Sequence, residues 1–305
     1  MSSLIEQAAK RLEQLRQAGV DVQPRTDALP APVVPSIAVP VGAAPPTRAE
    51  AFPQSRRIEI DLARLTATGI VSPNDPRTPI ADQYRVIKRP LISNAMGRGA
   101  SVIANGNLIM VTSALSGEGK TFTAINLAMS IATELDYTVM LIDADVARPS
   151  VLNVLGLEPS PGLLDLVLDE SKDLSSMLLR TNIDSLTLLP SGTPHPRATE
   201  LLASDAMARL LDDIAKRYSD RIIIFDSPPL LLATESRVLA SHMGQVVVVV
   251  QAERTLQSEV MQALATIEAC PVKLMLLNQA RTAFKGGYGY GYGYGYGYGY
   301  EKQQA

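Results

Sequence analysis

The spacing of apolar positions changes along this chain, and the changes divide it into parts. Leu4, Ala8, Leu12 and Leu15 recur at helical intervals, which predicts an amphipathic helix over residues 3–18. Ser3 and Glu6 have capping-box spacing, and Gly19 stands where such a helix would stop. A helix this short is marginal alone, so it either packs on the rest of the chain or docks on a partner. From Ile58 onward, strand-length apolar runs alternate with helical segments. The runs are Leu108–Thr112, Thr138–Ile142, Leu186–Leu189, Ile222–Phe225, Val246–Gln251 and Leu274–Leu277. Helices are expected from Lys120, near Asp205–Tyr218 and near Leu256–Ala269. This alternation predicts an α/β fold with a mostly parallel sheet covered by helices on both faces. Ligands in such sheets bind beyond the carboxyl ends of the strands.

Two stretches lack either period. Pro24 to Pro53 holds eight prolines among small and polar residues, a composition that forms an extended linker rather than a core. Gly287 to Tyr300 alternates glycine and tyrosine strictly, placing Tyr288, Tyr290, Tyr292, Tyr294, Tyr296, Tyr298 and Tyr300 in one tail. Glycine at every second position opposes a helix and gives no side chain to a core, so a mobile tail is expected. At ~5–6 Å × √n, fourteen residues of coil span roughly 20 Å. The tail is either a phosphate acceptor or an adhesive low-complexity segment acting by aromatic stacking.

Chemistry concentrates behind the first strand. Ser113-Ala114-Leu115-Ser116-Gly117-Glu118-Gly119-Lys120-Thr121 approximates the P-loop pattern GxxxxGK[ST], with Ala114 in place of the first glycine. Residues Ser116, Gly117, Glu118, Gly119, Lys120, Thr121 and Phe122 are the expected nucleotide-binding stretch. Its backbone N–H groups and the following helix N-terminus would face phosphate oxygens. Lys120 would reach the β- and γ-phosphates of ATP, and the Thr121 hydroxyl would ligate Mg²⁺. Two further strands end in carboxylates, Asp143 and Asp145 on one and Asp226 on the other. At the carboxyl edge they can hold Mg²⁺ or orient a nucleophile, or simply cap helices.

Taken together, SALSGEGKT, VMLIDADVARPS and IIIFDSPP resemble the Walker A, A′ and B motifs of the bacterial tyrosine kinases. The resemblance covers roughly Ile58 to Ala283, and the tyrosine tail extends it. It implies a P-loop kinase that phosphorylates its own tail, with Asp143 drawing the proton from the incoming tyrosine and Asp145 and Asp226 organising Mg²⁺. Asn278, beyond the last strand, would read the adenine edge or serve as a cap. The segment Asp82-Gln83-Tyr84-Arg85-Val86-Ile87-Lys88 resembles the ExxRxxR helix of ring assembly. Asp82, Arg85 and Lys88 would share one helical face, as intersubunit ion pairs or as a solvated surface. SSLIEQAAKRLEQLR and QYRVIKRPL resemble the soluble subgroup encoded with exopolysaccharide and exosortase systems, in which a separate transmembrane chain-length regulator is the partner. Departures are Ser116 where the family usually has proline, Ala147 before Arg148 where it often has two basic residues, and Asp82 for glutamate. The organisation expected is a helix at 1–19, a linker at 20–56, a P-loop tyrosine kinase domain at 57–284 and an acceptor tail at 285–305.

Composition narrows the alternatives. Apolar residues make up 46% and charged residues 19% of 305 positions, with net charge −3, which allows a large core and argues against a nucleic-acid binder. The single cysteine, Cys270, excludes an intrachain disulfide and suggests a reducing compartment. His195 and His242 lack metal-like partners in sequence. The longest apolar stretches, Val246–Val250 and Pro228–Ala233, are too short to cross a bilayer, so a cytoplasmic protein recruited to the membrane by a partner is expected. Partitioning and septum-positioning ATPases share this fold, but they carry a lysine five positions before the P-loop lysine, where this chain has Leu115. A non-catalytic ATP-binding scaffold is the other alternative.

Overall fold

The computed structural model describes residues 55–280, apart from 76, 100 and 219. The expected N-terminal helix, most of the proline-rich linker and the glycine/tyrosine tail lie outside the described residues. Within them, eight strands form one sheet in the order β1-β4-β5-β3-β6-β2-β7-β8. In chain order these are β1 (Arg56–Arg57), β2 (Leu108–Ser113), β3 (Thr138–Asp143), β4 (Leu179–Arg180), β5 (Leu186–Leu189), β6 (Arg221–Asp226), β7 (Gln245–Gln251) and β8 (Val272–Asn278). Every pairing is parallel except β4 with β5.

The central strands are apolar without interruption because both their faces are covered. Met110, Met140, Ile142, Ile223, Phe225, Val246 and Val248 point into one buried cluster. Their neighbours Ile109, Val111, Val139, Leu141, Ile222, Ile224, Val247 and Val249 point into the other. On that second face lie α1 (Leu62–Ala67), α2 (Pro79–Ala95) and α3 (Lys120–Ala132). Ten consecutive residues of α3, Thr123 to Ala132, are buried, as expected for a helix enclosed on several sides. After β3 come α4 (Val151–Leu155), α5 (Leu163–Leu168) and α6 (Leu174–Met177). The first face is covered by α5 together with α7 (Ala198–Leu202), α8 (Asp205–Arg217), α9 (Thr234–Ser241) and residues of α10 (Gln257–Ala265). No helix of the described residues is long and apolar enough to cross a membrane.

Strand β2 is central, and the chain leaves it in one direction toward β3 and later returns on its other side as β7. That reversal puts the loop after β2 at the topological switch point, where a crevice opens at the strands' carboxyl ends. Cys270 is a buried free thiol, whose pKa burial pushes up, in keeping with a structural role. His195 accepts from the amide of Arg197, and His242 is the C-cap of α9.

Helix α2 starts at Thr78, whose hydroxyl accepts from the Ala81 amide at 3.2 Å, with Pro79 in its first turn. Asp82 and Arg85 are exposed and paired at 2.5 Å. Lys88 departs from the single outward face expected of these three residues. Its side chain is 3% exposed and its ammonium lies 2.7 Å from the Glu134 carboxylate. The ammonium also donates to the Ser130 carbonyl and, at 3.3 Å, to the Thr133 hydroxyl. A cation at the last carbonyls of α3 satisfies orphan acceptors and suits the helix dipole, so Lys88 bolts α2 to the end of the P-loop helix. Lys88→Met should fill the same channel but leave Glu134 without its buried cation. A loss of about 2 kcal/mol is expected, or roughly 4–8 °C in Tm for a domain of this size. Thermal unfolding at concentrations where only monomer sediments would show it, and an unchanged monomer Tm would assign Lys88 to assembly instead.

Candidate functional site: a phosphate loop ringed by carboxylates

The loop from β2 to α3 turns on two glycines with positive φ, Gly117 at 86° and Gly119 at 93°. Gly119 is doubly constrained, because a Cβ there would also lie 2.1 Å from the Asn278 amide nitrogen. Gly119 serves as N-cap of α3 without any side-chain cap, so the first amides of the helix are left for a ligand. Ala114 takes the position of the first motif glycine and is fully buried.

Not every residue of the expected binding stretch faces the crevice. Glu118 is 2% exposed and turns its carboxylate inward. It accepts from the Leu115 amide at 2.6 Å, the Gln251 amide at 3.4 Å and the Thr255 hydroxyl. Its side chain therefore braces the loop against the end of β7, leaving the backbone for phosphate. Phe122 packs its ring against the α2–α3 core, and its carbonyl accepts from Asn126. Ser116 and Gly117 are exposed at the loop tip. Asn278 donates its amide nitrogen to the Glu118 carbonyl at 2.9 Å, which is a bracing contact. The bracing by Glu118, Thr255 and Gln251 was not predicted, since Thr255 and Gln251 meet Glu118 only through strand order.

Strand register assembles the carboxylates. Asp143 and Asp226 are direct partners on β3 and β6, and Val111 pairs with Asp226 from β2. Lys120 donates to Asp145 at 2.6 Å. The Thr121 hydroxyl donates to Asp226 at 2.7 Å and lies 3.1 Å from the Ser150 hydroxyl. Asp143 accepts from the amides of Ser150 and Val151, both at 3.0 Å, through one oxygen, while the other receives the Asp145 amide at 3.3 Å. Asp143 thus supplies the cap of α4, and Ser150, the N-cap by position, makes no side-chain cap bond. Its hydroxyl is directed to Thr121 instead, a contact that sequence spacing did not reveal.

Burial dominates the titration of this group. It pushes Asp143 up to about 6, against the pull of the Val151 and Ser150 amides. It pushes Asp226 up to about 7, opposed by the Lys120 charge and the Thr121 hydrogen bond and reinforced by Asp143 and Asp145. One Asp226 oxygen is buried without a hydrogen-bond partner. Among the described residues no group of three or more His, Cys, Asp or Glu could hold a metal by itself. Mg²⁺ needs no such cage, since it binds through one or two carboxylates and a substrate's phosphates. An all-oxygen set of Thr121, Asp226 and Asp145, with one orphaned carboxylate oxygen, fits that ion.

Comparison with known proteins agrees with this fold. The model of an AAA domain matches residues 106–278. Tyrosine-protein kinase YwqD of Bacillus subtilis (strain 168) is 31% identical over 206 residues, covering 68% of this chain and 83% of the relative. Putative tyrosine-protein kinase CapB of Staphylococcus aureus is 28% identical, covering 62% and 78%. Of putative tyrosine-protein kinase EpsB of Ralstonia nicotianae the chain spans only 28%, at 29% identity. Among solved structures, the chimerical protein CapA2B2 superposes with TM-score 0.57 at 28% identity, over 73% of this chain and 93% of that one. The kinase domain of Escherichia coli tyrosine kinase ETK gives 0.56 at 25%, over 69% and 78%. Shared sequence over most of a relative's length, on the same fold and with a phosphate loop facing paired acidic strand ends, places this chain in the bacterial tyrosine-protein kinase family.

Proposed function

We propose that this chain is an ATP- and Mg²⁺-dependent autokinase whose own tail tyrosines, Tyr288, Tyr290, Tyr292, Tyr294, Tyr296, Tyr298 and Tyr300, are its acceptors. The observation that carries the reading is the convergence of Lys120, Thr121, Asp143, Asp145 and Asp226 on one sheet edge, in a chain that also holds the glycine/tyrosine repeat. ATP phosphates lie across the loop amides and the α3 N-terminus, and Lys120 passes from Asp145 to the β- and γ-phosphates. Bound Mg²⁺ would neutralise charge on the transferred group, with Thr121, Asp226 and Asp145 as its holders. The phenol oxygen forms a bond to the γ-phosphorus as the bond to the bridging oxygen breaks, ADP leaves with that electron pair, and the phenolic proton passes to Asp143. The Asp143 oxygen bearing only the 3.3 Å amide contact has a lone pair for that proton. Positioning and charge neutralisation supply most of the rate.

The chain is further proposed to act at the inner face of the membrane in exopolysaccharide polymerisation or export. In this reading it assembles as a homo-oligomeric ring through α2 and is activated by a separate transmembrane chain-length regulator. The resemblance of its N-terminal and α2 segments to the exopolysaccharide-associated subgroup supports this. Incubation with ATP and Mg²⁺, followed by mass-spectrometric mapping of phosphotyrosine, tests the central claim. Phosphate is expected on the 287–300 segment of the intact chain, at a rate about two to three orders of magnitude lower in Lys120→Met. An intact tail without phosphate, even with the membrane partner supplied, would sink the autokinase reading.

A further inference from the structure

Strand register gathers three arginines at the corner of the sheet remote from the phosphate loop. Arg57 of β1 and Arg180 of β4 are direct partners, and Arg180 in turn faces Thr187 of β5. Cross-strand partners project from the same face of a sheet, so the two guanidinium groups stand side by side. Arg221 joins them on that face. Ile223 and Phe225, two and four residues after it, point into the cluster that holds Met110 and Met140, and its guanidinium donates to the Thr187 hydroxyl at 3.3 Å. With Asp184 these residues wall a cavity of about 460 Å³. Arg221 opens β6 and Asp226 closes it, which puts the pocket roughly 17 Å along the strand from the reacting carboxylates.

The charges of this pocket are unbalanced. Like charges directly opposite each other weaken a strand pair, yet Arg57 and Arg180 are both exposed and, among the described residues, neither they nor Arg221 is held in an ion pair. Arg221 lies over the Tyr218 ring at 4.7 Å, and its Nε–H is buried without an acceptor, an arrangement that costs stability until an acceptor arrives. The arginines by α6 and α8 differ, for Arg209 is paired with Glu170 at 2.6 Å and Arg217 with Asp173 at 3.3 Å.

We propose that this pocket is a phosphotyrosine-binding site, in which Arg57, Arg180 and Arg221 hold a phosphorylated tyrosine of the 287–300 segment, from this chain or a second copy. The inference rests on the autokinase reading above for its ligand and adds where the product goes. A phosphotyrosine brings about −1.5 to −2 charges and three acceptor oxygens, and guanidinium forks match phosphate oxygens in pairs. A cavity of about 460 Å³ holds more than a phosphate ion and leaves room for the ring that carries it. The tail is also long enough. Strand β8 lies six strand positions from β4, so its end is roughly 35 Å from this corner at ~4.8 Å per strand and ~3.3 Å per residue. Ala280 and Tyr300 are 20 residues apart, a contour of about 66 Å when extended. Docking there carries a modified tyrosine to the far side of the sheet and leaves the reaction centre open to the next acceptor.

The test uses the full chain, treated with phosphatase, and a synthetic fluorescein-labelled glycine–tyrosine repeat peptide carrying one phosphotyrosine. Fluorescence anisotropy is read with a non-hydrolysable ATP analogue and Mg²⁺ present, which keeps the peptide off the phosphate loop. The double variant Arg57→Gln/Arg180→Gln is expected to bind the phosphopeptide at least tenfold more weakly, as the loss of two charge-assisted contacts requires, and Arg180→Gln alone to lose part of this. Affinity for the ATP analogue should stay within twofold, and removing two like charges should leave the Tm no lower than wild type. The unphosphorylated peptide should bind at least tenfold more weakly than the phosphopeptide. Phosphopeptide affinity unchanged in the double variant, or equal affinity for the two peptides, would overturn the site. Inorganic phosphate that displaces the labelled peptide as effectively as unlabelled phosphopeptide does would assign the pocket to free phosphate and overturn the tail as its ligand. Wild-type protein that binds the phosphopeptide but never labels its own tail from ATP would instead overturn the autokinase reading, since the peptide is made chemically.

Discussion

Replacing Lys120 by methionine is expected to lower tyrosine phosphorylation by about two to three orders of magnitude, the range seen when one donor to a developing charge is removed. Methionine keeps the length and apolar stem of lysine, so the start of α3 should persist. The ammonium is lost where it is most enclosed, for the Lys120 and Asp145 side chains are 12% and 6% exposed. In the free protein Asp145 holds that ammonium at 2.6 Å. Asp145 would retain the Arg148 amide at 3.2 Å, which limits the structural cost. Initial rates of phosphotyrosine formation at saturating ATP, with Tm measured alongside, separate lost chemistry from lost fold. Lys120→Arg should recover only part of the rate, because a planar guanidinium does not replace a compact ammonium in a cradle closed by Gly117 and Gly119. A methionine variant that keeps the wild-type rate would remove Lys120 from the reaction.

The sequence carried most of the sheet, because strands buried on both faces read as continuous apolar runs. The runs Leu108–Thr112 and Ile222–Phe225 differ from β2 and β6 only at their ends. The two-residue strands β1 and β4 were not predicted, for a pair that short has no period to read. The phosphate loop and acidic strand ends were visible as motifs, since local backbone chemistry dictates them. What spacing could not give was direction. Glu118 lies in the middle of the motif, yet its carboxylate points away from the crevice toward Thr255. Lys88 falls three residues after Arg85, yet it is drawn inward by Glu134 and the last carbonyls of α3. Both reversals come from partners remote in sequence, whose position only the folded chain fixes.

Asp226→Asn should separate stability from activity, with a sign that depends on pH and ligand. In the folded protein burial holds the Asp226 proton up to about pH 7, against an ordinary value of 3.8. Between these two values the native state binds more protons than the unfolded chain, so stability falls as pH rises and stays low above 7. Asparagine cannot ionise and still offers an acceptor to the Thr121 hydroxyl, so the variant escapes that loss. At pH 8, without nucleotide or metal, it should be more stable than wild type by about 2–4 kcal/mol. The gap should close toward pH 4, and urea unfolding at both pH values measures it. Asp143 is raised too, to about 6, and its charge helps raise Asp226, so the variant also relieves the repulsion between the two carboxylates above pH 7. A gap independent of pH would mean that the buried carboxylate is not what ionises. ATP and Mg²⁺ should then reverse the order of the two proteins. Binding stabilises wild type by RT ln(1 + [L]/Kd), while the variant, lacking a charged holder for the ion, gains little and loses most of its kinase rate. A carboxylate that weakens the empty fold and strengthens the loaded one ties the stability of this domain to its substrate.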